Sequence, residues 1–132
     1  MSKTQKVEKV IKAAMIRLLR LEPASVRQSG YDALRPNKSG RDTRLQIKSR
    51  SSPQEKPNQR LGQIRLDRTW DAVLLVILDT KPNVVAIYEA ARSAVRRALK
   101  KPGSKARNER GLLGVNQFKR IARQVWPKAN AR

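Results

Sequence analysis

The chain has no cysteine and no histidine. That excludes zinc sites built on thiolate or imidazole, a thiolate nucleophile, and acid–base work by imidazole. Any catalysis must run on carboxylates, lysine, tyrosine, hydroxyls or a hard cation held by oxygen ligands. Large rings are scarce: one Phe, two Trp and two Tyr. A membrane-surface helix would be poorly supplied with anchors. No apolar stretch reaches the ~18 residues that a spanning helix needs. The N-terminus is polar and charged where a secretory leader would be apolar. The expectation is a cytoplasmic protein with no membrane partner.

Acids are scarce as well, 10 against 31 Lys and Arg, which leaves a net charge of +21. Such a charge repels itself, and a polyanionic partner explains why it is tolerated. Nucleic acid fits best, because neutralised phosphates release counterions and so supply affinity. The chain is nevertheless no basic tail. It has 132 residues, 39% of them hydrophobic, enough for a single domain over residues 1–132 with its own core.

Residues 4–21 carry Val7, Val10, Ile11, Ala14, Met15, Leu18 and Leu19 at helical spacing, and Pro23 stops the helix. Residues 24–28 read as a short first strand broken at Gly30, and residues 31–34 as a second. Turn chemistry fills residues 36–40. Residues 43–49 then alternate, with Leu45 and Ile47 on one face and Arg44, Gln46 and Lys48 on the other. Residues 31–49 therefore form a hairpin. A loop follows at 51–58, then a short helix at 59–68 with Leu61 and Ile64 inward. The run Ala72–Leu78 is apolar throughout, as a central strand covered on both faces would be. Residues 84–88 form its antiparallel neighbour. Residues 90–101 are a basic helix and 104–114 a basic loop. Residues 115–126 make a final helix with Val115, Phe118, Ile121, Ala122, Val125 and Trp126 as its apolar stripe. The sum is an α/β fold, a mixed central sheet flanked by helices.

Two residues apart on a strand means one shared face, roughly 6.5–7 Å along the chain. Gln46 and Lys48 have that spacing, and a hairpin can bring Asp32 beside them. A carboxylate, an amide oxygen and an ammonium would then converge. Phosphodiester hydrolysis uses a metal to polarise the phosphoryl oxygen and activate water. Asp32 is a candidate anionic ligand and Gln46 a candidate neutral one, since amide oxygens coordinate hard cations. Lys48 would orient or deprotonate the water, or stabilise charge on the phosphate. Glu8, on the first helix, is a candidate further acid.

Asp32, a turn-rich stretch and then Gln46-Ile47-Lys48 resemble the motif of the PD-(D/E)XK nuclease superfamily, which includes many restriction endonucleases and the Holliday-junction resolvases. The similarity extends over residues 4–79. It implies a restriction-endonuclease-like αβββαβ core with extra C-terminal helices, and a DNA endonuclease using Mg²⁺ or Mn²⁺. It implies Asp32 and position 46 as metal ligands, Lys48 as the catalytic lysine and Glu8 as the auxiliary acid. Position 46 is Gln where the pattern has an acid, a change some members share, and it removes one negative charge from the site. Position 31 is Tyr where the pattern has Pro. Many members pair, so a homodimer is one expectation.

Plainer readings stand beside these. Asp32 can cap a turn, and Gln46 with Lys48 can line a solvated strand face. Glu8 can pair with Lys12 at i, i+4. Asp71 and Asp79 read as solvated strand ends, Trp70 and Trp126 as core, and Tyr31, beside Asp32, as a candidate substrate contact. Arg96, Arg97, Lys100, Lys101, Lys105, Arg107 and Arg110 form a dense basic segment that reads as a phosphate-tracking surface. Arg41, Arg44 and Arg50 add charge to the expected active face. A non-catalytic DNA- or RNA-binding protein, either a decayed nuclease fold or a ribosomal-type basic protein, is the alternative.

Overall fold

The computed structural model describes residues 3–24, 30–52, 59–100 and 113–127. Helix α1 spans Lys3–Leu19. It buries Ala14 and Met15 and half-buries Val7, Val10, Ile11, Leu18 and Leu19, the predicted stripe. The helix closes with Arg20 in the left-handed region at φ 56° and the Leu21 N–H bonded back to the Met15 carbonyl at 3.0 Å. The Arg20 N–H bonds back to the Ile16 carbonyl at 3.1 Å, which is the αL closure of a helix end.

Six strands follow: β1 Glu22–Pro23, β2 Ala33–Arg35, β3 Thr43–Ser51, β4 Ala72–Leu78, β5 Val84–Ala91 and β6 Arg123–Trp126. They lie in one sheet in sequence order. Within it β3 and β4 pair in parallel, and every other neighbouring pair is antiparallel. Two further helices, α2 (Arg92–Lys100) and α3 (Val115–Ile121), stand between β5 and β6 among the described residues. The fold is α/β, a mixed sheet flanked by helices.

All seven residues of β4 are buried, so the strand is covered on both faces as its composition demands. Its odd positions, Val73, Leu75 and Ile77, join Trp70, Val95, Leu99, Leu113 and Phe118 in one core layer. Its even positions, Leu74, Val76 and Leu78, join Leu45, Ile87, Ala14 and Met15 in the other. Helix α1 therefore covers one face. Helices α2 and α3, with the segment leading into β4, cover the opposite face.

Four expectations are corrected. The first strand is the pair Glu22–Pro23, ahead of the predicted 24–28, of which 25–28 lie outside the described residues. The second is Ala33–Arg35, later than 31–34. Residues 59–68 form no helix. Their backbone bonds to the 113–115 segment instead, Leu61 N–H to the Leu113 carbonyl at 2.8 Å and Val115 N–H to the Gln59 carbonyl at 2.9 Å. Leu61 and Ile64 are buried all the same. The last helix ends at Ile121, and Arg123–Trp126 pairs with β5 as an edge strand. A β-branched and aromatic tail fits that half-buried place, and Val125 and Trp126 pack on the α1-side core.

Candidate functional site

Gln46, Lys48 and Arg50 lie opposite Val73, Leu75 and Ile77 in the parallel ladder and share their face of the sheet. Near β3 that face is covered by residues 59–64 rather than by a helix. Lys48 Nζ donates to the Gln63 carbonyl at 3.2 Å, and Arg50 Nε donates to the Arg60 carbonyl at 2.9 Å. These cations satisfy carbonyls that the segment, having no helix, leaves without internal partners.

Gly30 stands at the entrance to the hairpin with φ 101°. A Cβ there would lie 2.8 Å from the Thr69 carbonyl oxygen and 2.9 Å from the Thr69 nitrogen. Only glycine accepts both the conformation and the approach. Its carbonyl takes the Gln46 amide, Nε2 to O at 3.3 Å. A carbonyl can only accept, so Nε2 must face Gly30 and Oε1 must face away. Oε1 is buried and has no hydrogen-bond partner among the described residues.

Asp32 follows two residues later. Its N–H donates to the Leu45 carbonyl at 2.8 Å, and its Oδ2 accepts the Ile47 N–H at 2.7 Å. The carboxylate thus replaces a ladder carbonyl at the residue between Gln46 and Lys48. Asp32 is exposed, and no hydrogen bond reaches its Oδ1 among the described residues. Other acids are engaged differently. Glu89 takes Arg35 through both oxygens, Asp71 takes Arg41 and Arg44, and Asp67 takes Arg65. Asp79 is no merely solvated strand end: its Oδ1 caps the turn at the N–H groups of Lys81 and Asn83.

Lys48 is half-buried, and its proton affinity is lowered, first by that burial and then by the charge of Arg50, while Asp32 pulls it back up. The structure therefore gathers Asp32, Gln46 and Lys48 around one stretch of β3. Glu8 is exposed on α1, the helix over the opposite face, beside Gln5, Lys9 and Lys12. No ion pair engages it among the described residues. Among those residues, too, no group of three or more His, Cys, Asp and Glu comes together.

The basic residues divide into two kinds. Arg44 is clamped by Asp71, which raises its proton affinity and leaves it a poor candidate for phosphate. Arg92 spans the Leu66, Arg68 and Trp70 carbonyls with its guanidinium, 4.6 Å over the Trp70 ring. Arg96, Arg97 and Lys100 are exposed on α2. Lys101, Lys105, Arg107 and Arg110 lie outside the described residues. Trp70 is core, with its indole N–H bonded to the Arg65 carbonyl at 2.9 Å, and Tyr31 packs against the same layer.

Three positioning residues escape a sequence reading. Gly30 resembles an ordinary strand breaker, although its place two residues before Asp32 was a usable signal. Gly62, where a Cβ would lie 3.4 Å from Arg50 Nη2 and 3.5 Å from Lys48 Nζ, and Arg92 carried none, since neither differs from its neighbours in composition.

No family model matches the chain, and no curated protein matches it. No helix among the described residues is long and apolar enough to cross a membrane.

Proposed function

We propose that the chain is a metal-dependent endonuclease of the PD-(D/E)XK type acting on DNA, with Asp32, Gln46 and Lys48 at its centre. One observation carries the reading: Gln46 Oε1 is buried, turned away from Gly30, and has no donor among the described residues. Leaving such an acceptor unmet costs roughly 1–3 kcal/mol. A hard cation is a group that would meet it. Asp32 and Gln46 offer oxygen donors of the kind Mg²⁺ or Mn²⁺ takes, and Mg²⁺ sites with one or two protein carboxylates complete their shells from water and substrate phosphate. The residues therefore fit the ion, with one negative charge fewer than two acids would give.

When bound, the ion would polarise the phosphoryl oxygen and activate water. The chain's own groups do the rest. Asp32 supplies the anionic ligand and is held in place by the Ile47 N–H. Gly30 fixes the Gln46 amide. Lys48, with its lowered proton affinity, orients the attacking water or takes its proton. The cationic surface supplies non-specific affinity for the duplex.

The test is nicking of supercoiled DNA with Mg²⁺ or Mn²⁺ by the wild type, Asp32→Asn and Lys48→Met. The wild type should cut, EDTA should stop it, and each variant should fall by at least about a hundredfold. Undiminished cutting by both variants would remove the assigned site.

A second reading, a nucleic-acid-binding protein without catalysis, is favoured by the single carboxylate of the cluster. It requires salt-sensitive binding with no cleavage under any divalent ion. Gln46→Glu separates a decayed nuclease, which gains metal affinity from it, from a fold that never held one.

A further inference from the structure

Lys48 and Arg50 are half-buried cations two residues apart on one face of β3. Both reach over Gly62. A Cβ built on that glycine would lie 3.4 Å from Arg50 Nη2 and 3.5 Å from Lys48 Nζ. Two positive groups thus border one atom-sized space above bare backbone. Some of their donors are used: Lys48 bonds the Gln63 carbonyl, and Arg50 bonds the Arg60 carbonyl through Nε and the Ser49 carbonyl through Nη1. Among the described residues no acceptor takes Arg50 Nη2, and Nζ keeps donors to spare because an ammonium has three. No carboxylate forms an ion pair with either residue there.

We propose that Lys48 Nζ, Arg50 Nη2 and the half-buried backbone of Gly62 form a phosphate subsite, filled in function by a phosphodiester of the nucleic-acid chain. Burial lowers the proton affinity of both cations, and the Arg50 charge lowers that of Lys48 further. An anion between them would offset both effects. A planar guanidinium edge and an ammonium together suit an anion with several oxygens. Glycine is required because any side chain would fill the space the oxygens need. The inference rests on the nucleic-acid half of the reading above and not on hydrolysis. Because Lys48 belongs to both sites, the bound phosphate would lie beside the amine assigned to the chemistry.

The experiment uses the full ¹⁵N-labelled chain without divalent metal. The Gly62 amide and the Lys48 ammonium are followed while inorganic phosphate, and separately a short DNA duplex, replaces chloride at constant ionic strength. The subsite requires a saturable shift centred on residues 48, 50 and 62 in both titrations, with the duplex acting at lower concentration. Gly62→Ala tests it most cleanly. The added methyl meets the two cations at ordinary contact distance, yet it occupies the space. It should weaken phosphate binding, read at Lys48, about tenfold. Arg50→Gln should do the same, and should the loop unfold in that variant, Gly62→Ala still decides. A shift that never saturates, or one unchanged in Gly62→Ala, overturns the subsite. So does a shift with inorganic phosphate and none with duplex, which would mark a free-phosphate site. DNA cutting without the Gly62 shift would sink this inference alone. The shift without cutting would sink hydrolysis alone.

Discussion

The carboxylate of Asp71 holds Arg44 at three points. Oδ2 accepts the Arg44 backbone N–H at 2.8 Å and Nε at 3.0 Å, and Oδ1 accepts Nη2 at 3.1 Å. The Asp71 N–H returns a bond to the Arg44 carbonyl at 2.8 Å, and Arg41 adds a contact at 3.2 Å. The two residues stand at the entrances of β3 and β4. Parallel strands have no hairpin to fix their register. Here a side-chain clamp sits one residue before the first paired position, Leu45 opposite Ala72, and does that work.

The clamp makes stability depend on pH. The Arg44 hydrogen bonds, above all, hold the Asp71 carboxyl below the usual carboxylate range, assisted by the charges of Arg44 and Arg41. A depressed acid contributes stability that is present above its unfolded value near 4 and lost as pH falls through the folded value. Asp71→Asn should be less stable than wild type by about 1–3 kcal/mol at pH 7. The gap should narrow in urea titrations below about pH 4. A gap unchanged down to pH 2 would show that charge plays no part.

Gly30 should tolerate no side chain. Alanine there meets both an unfavourable positive φ and backbone within 2.8 Å. The expected loss is roughly 1–3 kcal/mol in thermal or urea unfolding. Because Gly30 also orients the Gln46 amide, the variant should change the Gln46 side-chain NMR signals while the fold persists at low temperature. Unchanged stability together with unchanged Gln46 signals would contradict both roles.

The apolar code was legible in the chain. Ala72–Leu78 has no polar position, and only a strand covered on both faces accommodates that. The 43–49 alternation likewise placed Gln46 and Lys48 together on one face. The path between β3 and β4 was not legible. Its carbonyls are met by Lys48, Arg50 and Arg92, residues distant in sequence that a periodicity argument cannot connect. The tail after Ile121 misled for a related reason. Val125 and Trp126 continue a helical stripe, but the open edge of β5 offers them burial with backbone pairing, and tertiary context prevails. Arg44 misled because a surface arginine and a clamped one look the same until the partner, Asp71, is in place.

Lys48 should titrate below its ordinary 10.5, and its neighbours should move it in opposite directions. Arg50→Gln removes a like charge and admits water, so the value should rise toward 10.5. Asp32→Asn removes the attraction that holds the proton, so the value should fall further. Folding opposes this charge, so stability should rise with pH between the folded value and 10.5. NMR of the lysine side-chain carbons across that range reads each effect. A value insensitive to both substitutions would mean that the three groups do not share a site.

Helix α2 provides the sharpest separation of surface charge from structure. Val95, Ala98 and Leu99 are buried, while Arg96, Arg97 and Lys100 are exposed. Two local effects of those cations on stability oppose each other. Like charges at Arg96 and Lys100, four apart, destabilise a helix by about 0.2–0.5 kcal/mol. Cations in the last turn favour it by about 0.3–1 kcal/mol through the helix dipole. Replacing all three by Gln should therefore leave the unfolding free energy within about 1 kcal/mol of wild type. If the helix tracks phosphates, the same variant should bind duplex DNA more weakly, and the slope of log K against log salt should shrink by about 0.9 for each phosphate that is no longer neutralised. A shallower slope at unchanged stability assigns the helix to the nucleic-acid surface. An unchanged slope removes it, and the affinity must then come from cations elsewhere in the chain.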